Sequence, residues 1–187
     1  MRTGFSVFAV SLLAAFALAG CGGGSGDDSS SGTTSTSEWA DDLCSAIVDW
    51  TDSVSSATTS LKDDGLSKEG VQSAADDVGT ATETFVDNVK GLGAPDTEAG
   101  QQAKESLDKL ANNLDDDLAE IKAAANYDAM GVSGALSAVT KISQELSTMG
   151  QQISSTFSEL EQIDAKGELE DAFSQSDSCK ELGSKTS

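Results

Sequence analysis

The stretch "VTKISQELSTMGQQISSTFSEL", Val139 to Leu160, decides the fold class. Val139, Leu146, Ile153 and Leu160 recur every seven residues, and Leu136, Ile142, Met149, Phe157 and Ile163 fill the neighbouring stripe. Apolar side chains spaced by three and four share one face of an α-helix, whereas a half-buried strand alternates every second residue. The same reading extends outward in both directions. Upstream, Ala103, Leu107, Leu110, Leu114, Leu118 and Ile121 mark a helix from about Thr97 to Ala125, joined to the first by a connection over Asn126–Ser133. Earlier still, Val71, Val78, Phe85 and Leu92 repeat every seven residues behind Ser67, a good N-cap, with Leu66 and Val71 at the two positions of a hydrophobic staple. The earliest helix opens on Ser35-Thr36-Ser37-Glu38, an S-x-x-E capping box, and carries Trp39, Leu43, Ile47, Trp50, Val54, Ala57 and Leu61 on one face up to a break at Lys62–Gly65. Downstream, Asp164–Gly167 breaks the pattern before a short helix holding Leu169 and Phe173, and Cys179 follows it. No segment alternates like a strand. The expectation is an all-α protein: an up-down-up-down four-helix bundle with a short C-terminal helix, packed at about 20° in coiled-coil fashion.

The N-terminus has a different character. Met1-Arg2-Thr3 precedes an apolar run, Phe5–Leu18, of 14 residues, too short for the roughly 20 that span a bilayer. A charged start, a short apolar stretch and small residues at its end make residues 1–20 a secretory signal peptide. Leu18-Ala19-Gly20-Cys21 resembles the lipobox of bacterial lipoproteins. That resemblance implies cleavage before Cys21 and a diacylglyceryl group on its thiol; the alternative is an ordinary secreted protein with a cysteine near its cleavage site. Gly22 to Thr36 is nearly all Gly, Ser, Thr and Asp, with nothing worth burying, and reads as a flexible tether. The division expected is therefore residues 1–20 as leader, 21–37 as lipidated cysteine and linker, and 38–187 as helical domain. Location follows: the extracytoplasmic face of a cell membrane, held by lipid.

In that compartment disulfides persist. With Cys21 acylated, Cys44 and Cys179 remain, and an even number of helices brings both near the tethered end. A Cys44–Cys179 bridge is expected, with two buried free thiols as the alternative. A redox centre is disfavoured because the C-x-x-C spacing is missing.

Composition excludes several function classes. Without residues 1–20 the chain keeps ten lysines and no arginine against 32 acidic residues, a net charge near −22. Such a chain is repelled by nucleic acid and by anionic headgroups. Histidine is absent, so no Ser-His-Asp or Cys-His site and no histidine metal ligand can exist; no cofactor is indicated. The acidic runs Asp41-Asp42, Asp63-Asp64, Asp76-Asp77 and Asp115-Asp116-Asp117 lack the D-x-[DN]-x-[DN]-G pattern of a calcium loop. They read as solvated helix faces, the last with side chains mostly turned away from the seam. Two carboxylates can hydrolyse a glycosidic bond, but no acidic residue occupies the apolar stripes, so catalysis is not expected. Gly79 and Gly150 lie inside helices, where close helix approach is favoured over a hinge or a gap for a ligand. Trp39 and Trp50 are expected in the core, with an exposed docking role for Trp39 as the alternative.

Taken whole, Leu18-Ala19-Gly20-Cys21, "WADDLCSAI" (Trp39–Ile47), "LEQIDAKGEL" (Leu160–Leu169) and "SCKEL" (Ser178–Leu182) resemble the small, all-helical, paired-cysteine lipoproteins of high-GC Gram-positive bacteria. The resemblance implies location and fold and carries no established activity. Two functions are consistent with these readings. One is a non-enzymatic, membrane-anchored module that binds an envelope protein or cell-wall polymer; the alternative is a carrier of a lipid or apolar small molecule between its helices.

Overall fold

Ser35 and Ser67 start the first two helices as their sequence contexts direct. The Glu38 amide donates to Ser35 Oγ at 3.4 Å and the Gly70 amide to Ser67 Oγ at 3.0 Å, each supplying an acceptor for an N–H that the first turn leaves without one. In the computed structural model, which describes residues 35–64, 66–127 and 131–185, six helices follow: α1 (Thr36–Asp64), α2 (Lys68–Gly91), α3 (Gly100–Ala125), α4 (Val132–Ile163), α5 (Glu168–Gln175) and α6 (Asp177–Lys185). The leader, Cys21 and the tether as far as residue 34 lie outside the described residues. The protein is all-α, as the periodicity predicts.

Consecutive long helices run in opposite directions. Trp39 Nε1, early in α1, donates to the Gly93 carbonyl just after α2 at 3.3 Å, and Trp50 Nε1 donates to Thr82 Oγ1 further along at 3.1 Å. Between α2 and α3, Lys90 pairs with Asp115 at 2.9 Å and Glu83 with Lys122 at 2.6 Å. Between α3 and α4, Lys141 reaches Glu120 at 3.5 Å, and Lys166 just past α4 reaches Glu98 just before α3 at 2.7 Å. These exposed pairs report direction and contribute little stability. Burial contributes more. Leu107, Leu114 and Ile121 of α3, Phe85 of α2, Leu43 of α1 and Leu160 of α4 are each at most 2 % exposed. Each such side chain contributes about 1.5–3 kcal/mol in transfer free energy.

The structure corrects the sequence reading in four places. First, α3 begins at Gly100 rather than Thr97. Thr97–Ala99 form a turn, and Gly100 is pressed so closely on the Pro95 carbonyl that no Cβ fits there. Second, Cys179 lies inside a further helix, α6, which Ser176 starts by accepting the Cys179 amide at 3.1 Å. Third, the ring of four helices is not closed. No Cα of α1 comes within 8 Å of α4, although packed helices normally have axes 8–10 Å apart; α1 meets α2 on one side and α5 and α6 on the other. The α4 stripe is consequently only partly covered: Leu160 and Met149 are buried, Leu146 and Phe157 half-buried, and Leu136 is 56 % exposed. Fourth, Leu66 is 43 % exposed, while Val71 is buried against Ala135 and Ala138 of α4 in a small second core.

Candidate functional site

The open α1–α4 seam is a groove of about 670 Å³, within the ~300–1,000 Å³ typical of small-molecule sites. From α1 it takes Cys44, Ile47 and Trp50; from α4, Gly150, Ile153 and Phe157. The α5 residue Phe173 and the α6 residues Leu182 and Gly183 complete the apolar lining. Thr51, Ser154 and Ser174 sit at its edge with Glu161, Glu170 and Lys180.

Phe173 stands between the two helices at one level. Its ring lies 6.0 Å from the Trp39 ring of α1 and 5.2 Å from the Phe157 ring of α4, tilted against both. One aromatic ring therefore fills the gap at that level, in the tilted geometry that aromatic pairs favour. Beyond Phe173, towards Trp50 and Gly150, the gap continues without a filler. A Cβ built on Gly150 or on Gly183 meets nothing within 4 Å, so at these two positions the missing side chain leaves open space. The expectation of close helix approach fails at Gly150. It holds at Gly79, which is buried and whose Cβ would meet Lys122 Cε at 3.4 Å and Leu118 Cδ1 at 3.7 Å.

Three devices hold α5 and α6 over one end of the groove. The Cys44–Cys179 disulfide joins α1 to α6, with Cα atoms 5.0 Å apart, as the sequence predicts. Asp164, nearly buried, accepts the amides of Glu168 at 3.1 Å, Leu169 at 2.7 Å and Glu170 at 3.1 Å. It thereby caps α5, where the aligned peptide dipoles favour a negative charge. Gly167, at φ +74°, supplies the left-handed turn between them. On α1, Asp41 accepts the Ser176 hydroxyl at 2.7 Å and the Ser178 amide at 3.5 Å. Those bonds, Ser176 first, favour its charged form and hold its carboxyl below the usual range.

Elsewhere the sequence candidates disperse. Trp39 is fully buried and so belongs to the core. Asp115, paired with Lys90 of α2, and Asp116 are exposed, as expected of a run that mostly faces away, whereas Asp117 turns towards α4 and is half-buried. Burial raises its pKa, and the charges of Glu145, Asp116 and Glu120 add to the rise. Among the described residues no group of three or more His, Cys, Asp or Glu side chains is placed to hold a metal ion. No described helix is long and apolar enough to cross a membrane. No protein-family model, curated protein or solved structure matches this chain.

In the sequence a gap for a ligand at Gly150 ranked behind close helix approach, although two signals point to the groove. The α4 stripe is wider than one neighbouring helix covers, and Gly150 interrupts it where a side chain would fill the seam.

Proposed function

We propose that this protein is a non-enzymatic binding module tethered to the extracytoplasmic face of a membrane through a lipid on Cys21, and that its α1–α4 groove takes a lipid or other apolar small molecule. The observation that carries the binding reading is the unfilled seam itself. It has an apolar floor, a suitable volume and two glycines whose missing side chains keep it open. The lipobox-like Leu18-Ala19-Gly20-Cys21 supports the anchor, and the Gly/Ser/Thr-rich tract after it supports a tether with freedom to turn the groove towards bilayer or wall. The acidic surface disfavours nucleic acid as a partner.

The full-length protein, extracted in mild detergent and freed of bound lipid, should bind one equivalent of the uncharged apolar dye Nile red saturably. Gly150→Leu should abolish that binding while keeping the helical content and unfolding midpoint at least as high, because the new side chain enters open space. Absent saturable binding in the wild type refutes the groove as a site. Membrane partition unchanged by Cys21→Ser refutes the anchor.

A second reading keeps the binding module but gives it an envelope protein or cell-wall polymer as partner. Val132 and Leu136, 68 % and 56 % exposed on the first turns of α4, favour it, since adjacent exposed apolar side chains serve contact with another surface. Crosslinking in intact cells, compared with Leu136→Glu, tests that reading: it requires a specific partner whose yield falls in the variant.

A further inference from the structure

The groove's width and its charged edge narrow what it can hold; the step from site to ligand rests on the groove reading above. Phe173 spans the gap from Trp39 to Phe157 with a single ring, at 6.0 and 5.2 Å between centroids. An α-helix with its side chains is about 10–12 Å across, wider than the single ring that fills the gap at this level, whereas an alkyl chain is narrower than that ring. The groove continues along α1 and α4 past Ile47 and Trp50 on one wall and Ile153 and Gly150 on the other; Ile47, Trp50 and Ile153 are at most 8 % exposed, so an occupant lies in the opening above them and meets their apolar edges on both sides.

Its head meets the edge of the groove. Glu161 and Glu170 stand there, exposed, with no ion pair within 4 Å among the described residues. Among the described edge residues the cation is Lys180, whose Nζ donates to the Gln175 carbonyl at 3.0 Å and to Asp177 Oδ1 at 3.1 Å. Around them the whole chain carries a formal charge of −21. A carboxylate or phosphate head is therefore opposed by like charge at the mouth, where two glutamates stand with one lysine, and by the field of the molecule. We infer that the groove binds a single acyl chain whose head carries no net negative charge, such as a monoacylglycerol, and discriminates against the corresponding fatty acid.

The test uses full-length protein carrying Nile red at low ionic strength. Monoolein and oleate, which share the same acyl chain, compete for the site below their aggregation concentrations at pH 8, where oleate is ionised. Monoolein should displace the dye at a concentration at least tenfold lower than oleate. The double variant Glu161→Gln, Glu170→Gln should narrow that gap severalfold, through oleate alone, and so should added salt. Equal displacement by the two probes, or displacement by neither while the dye still binds, overturns the inference and leaves the groove reading standing. A gap that neither the double variant nor salt reduces overturns the electrostatic basis of the discrimination. Failure of the dye itself to bind saturably refutes the site, and the inference falls with it.

Discussion

Helices α3 and α4 carry the same kind of apolar repeat and meet different fates. In α3 every expected stripe residue, from Ala103 to Ile121, is at most 4 % exposed, because α2 covers one side and α4 the other. In α4, Met149, Ile153 and Leu160 are covered, while Leu146 and Phe157 are half-buried and Leu136 stands in solvent. The difference lies in position. As a middle helix, α3 has two long neighbours. As the last long helix, α4 packs mainly on α3 and does not meet α1, which packs against α5 and α6 instead. Periodicity thus states which residues require cover, and the fold decides whether this chain or another molecule supplies it.

The largest expected effect separates the two helices directly. Leu114→Ala in α3, where the side chain is 0 % exposed, should cost about 3–4 kcal/mol in denaturant unfolding, since little nearby can collapse into the cavity. Leu136→Ala in α4 should cost less than about 0.5 kcal/mol, as for other surface substitutions. Similar costs at both sites break the comparison.

Next in size is the disulfide. Its 135-residue separation gives ~5 kcal/mol by chain entropy alone, an upper figure, and measured bridges usually contribute ~2–4 kcal/mol. Cys44→Ala with Cys179→Ala should lower the unfolding free energy by about 2–3 kcal/mol. The same variant should weaken dye binding, because Cys44 and Cys179 both border the groove, whereas Leu114→Ala should unfold more easily yet bind normally while folded.

Glycine substitutions sharpen the contrast at about 1 kcal/mol. Gly150→Ala should stabilise by roughly that amount, the helix-propensity difference, because nothing opposes the new methyl group. Gly79→Ala should gain at least as much, because its methyl group would make ordinary contact with Lys122 Cε at 3.4 Å and Leu118 Cδ1 at 3.7 Å in a buried position. Thermal midpoints of the two variants rank them.

The smallest effect concerns Asp117, on the seam that α3 and α4 do close. Its raised pKa means that the folded state holds the proton more tightly than the unfolded chain. Stability therefore falls as pH climbs from the unfolded value of 3.8 through the raised folded value, and the penalty is complete above it. Asp117→Asn should stabilise the protein at pH 7 by about 0.5 kcal/mol, a figure discounted for solvent screening. The gain should vanish in acid, where Asp117 is itself protonated; a gain independent of pH places its origin elsewhere.

The elements were largely legible in the sequence because each rests on local chemistry. Ser67 caps α2, Asp164–Gly167 separates α4 from α5, and heptads mark the buried faces. The disulfide was legible because α1 and the C-terminal segment share one end of the molecule. Less legible was anything set by non-local packing. The start of α3 depends on the contact between Gly100 and the Pro95 carbonyl. Helix α6 is held by Asp41, 135 residues before the serine it accepts from. The groove's lining includes one ring, Phe173, set between helices far apart in sequence. Local pattern could name Phe173 as apolar but could not place its ring between Trp39 of α1 and Phe157 of α4.

Amide hydrogen exchange on the full-length protein, followed by peptide with and without monoolein, tests the central claim most directly. Residues 107–118 of α3 should exchange slowly, near the rate set by global unfolding, and should not respond to the lipid. Residues 146–157 of α4 and 44–51 of α1 should exchange faster in the free protein and become protected when lipid is added. Equal protection of α3 and α4 without lipid, together with no change at 44–51 and 146–157 on adding it, would contradict an open apolar seam between α1 and α4.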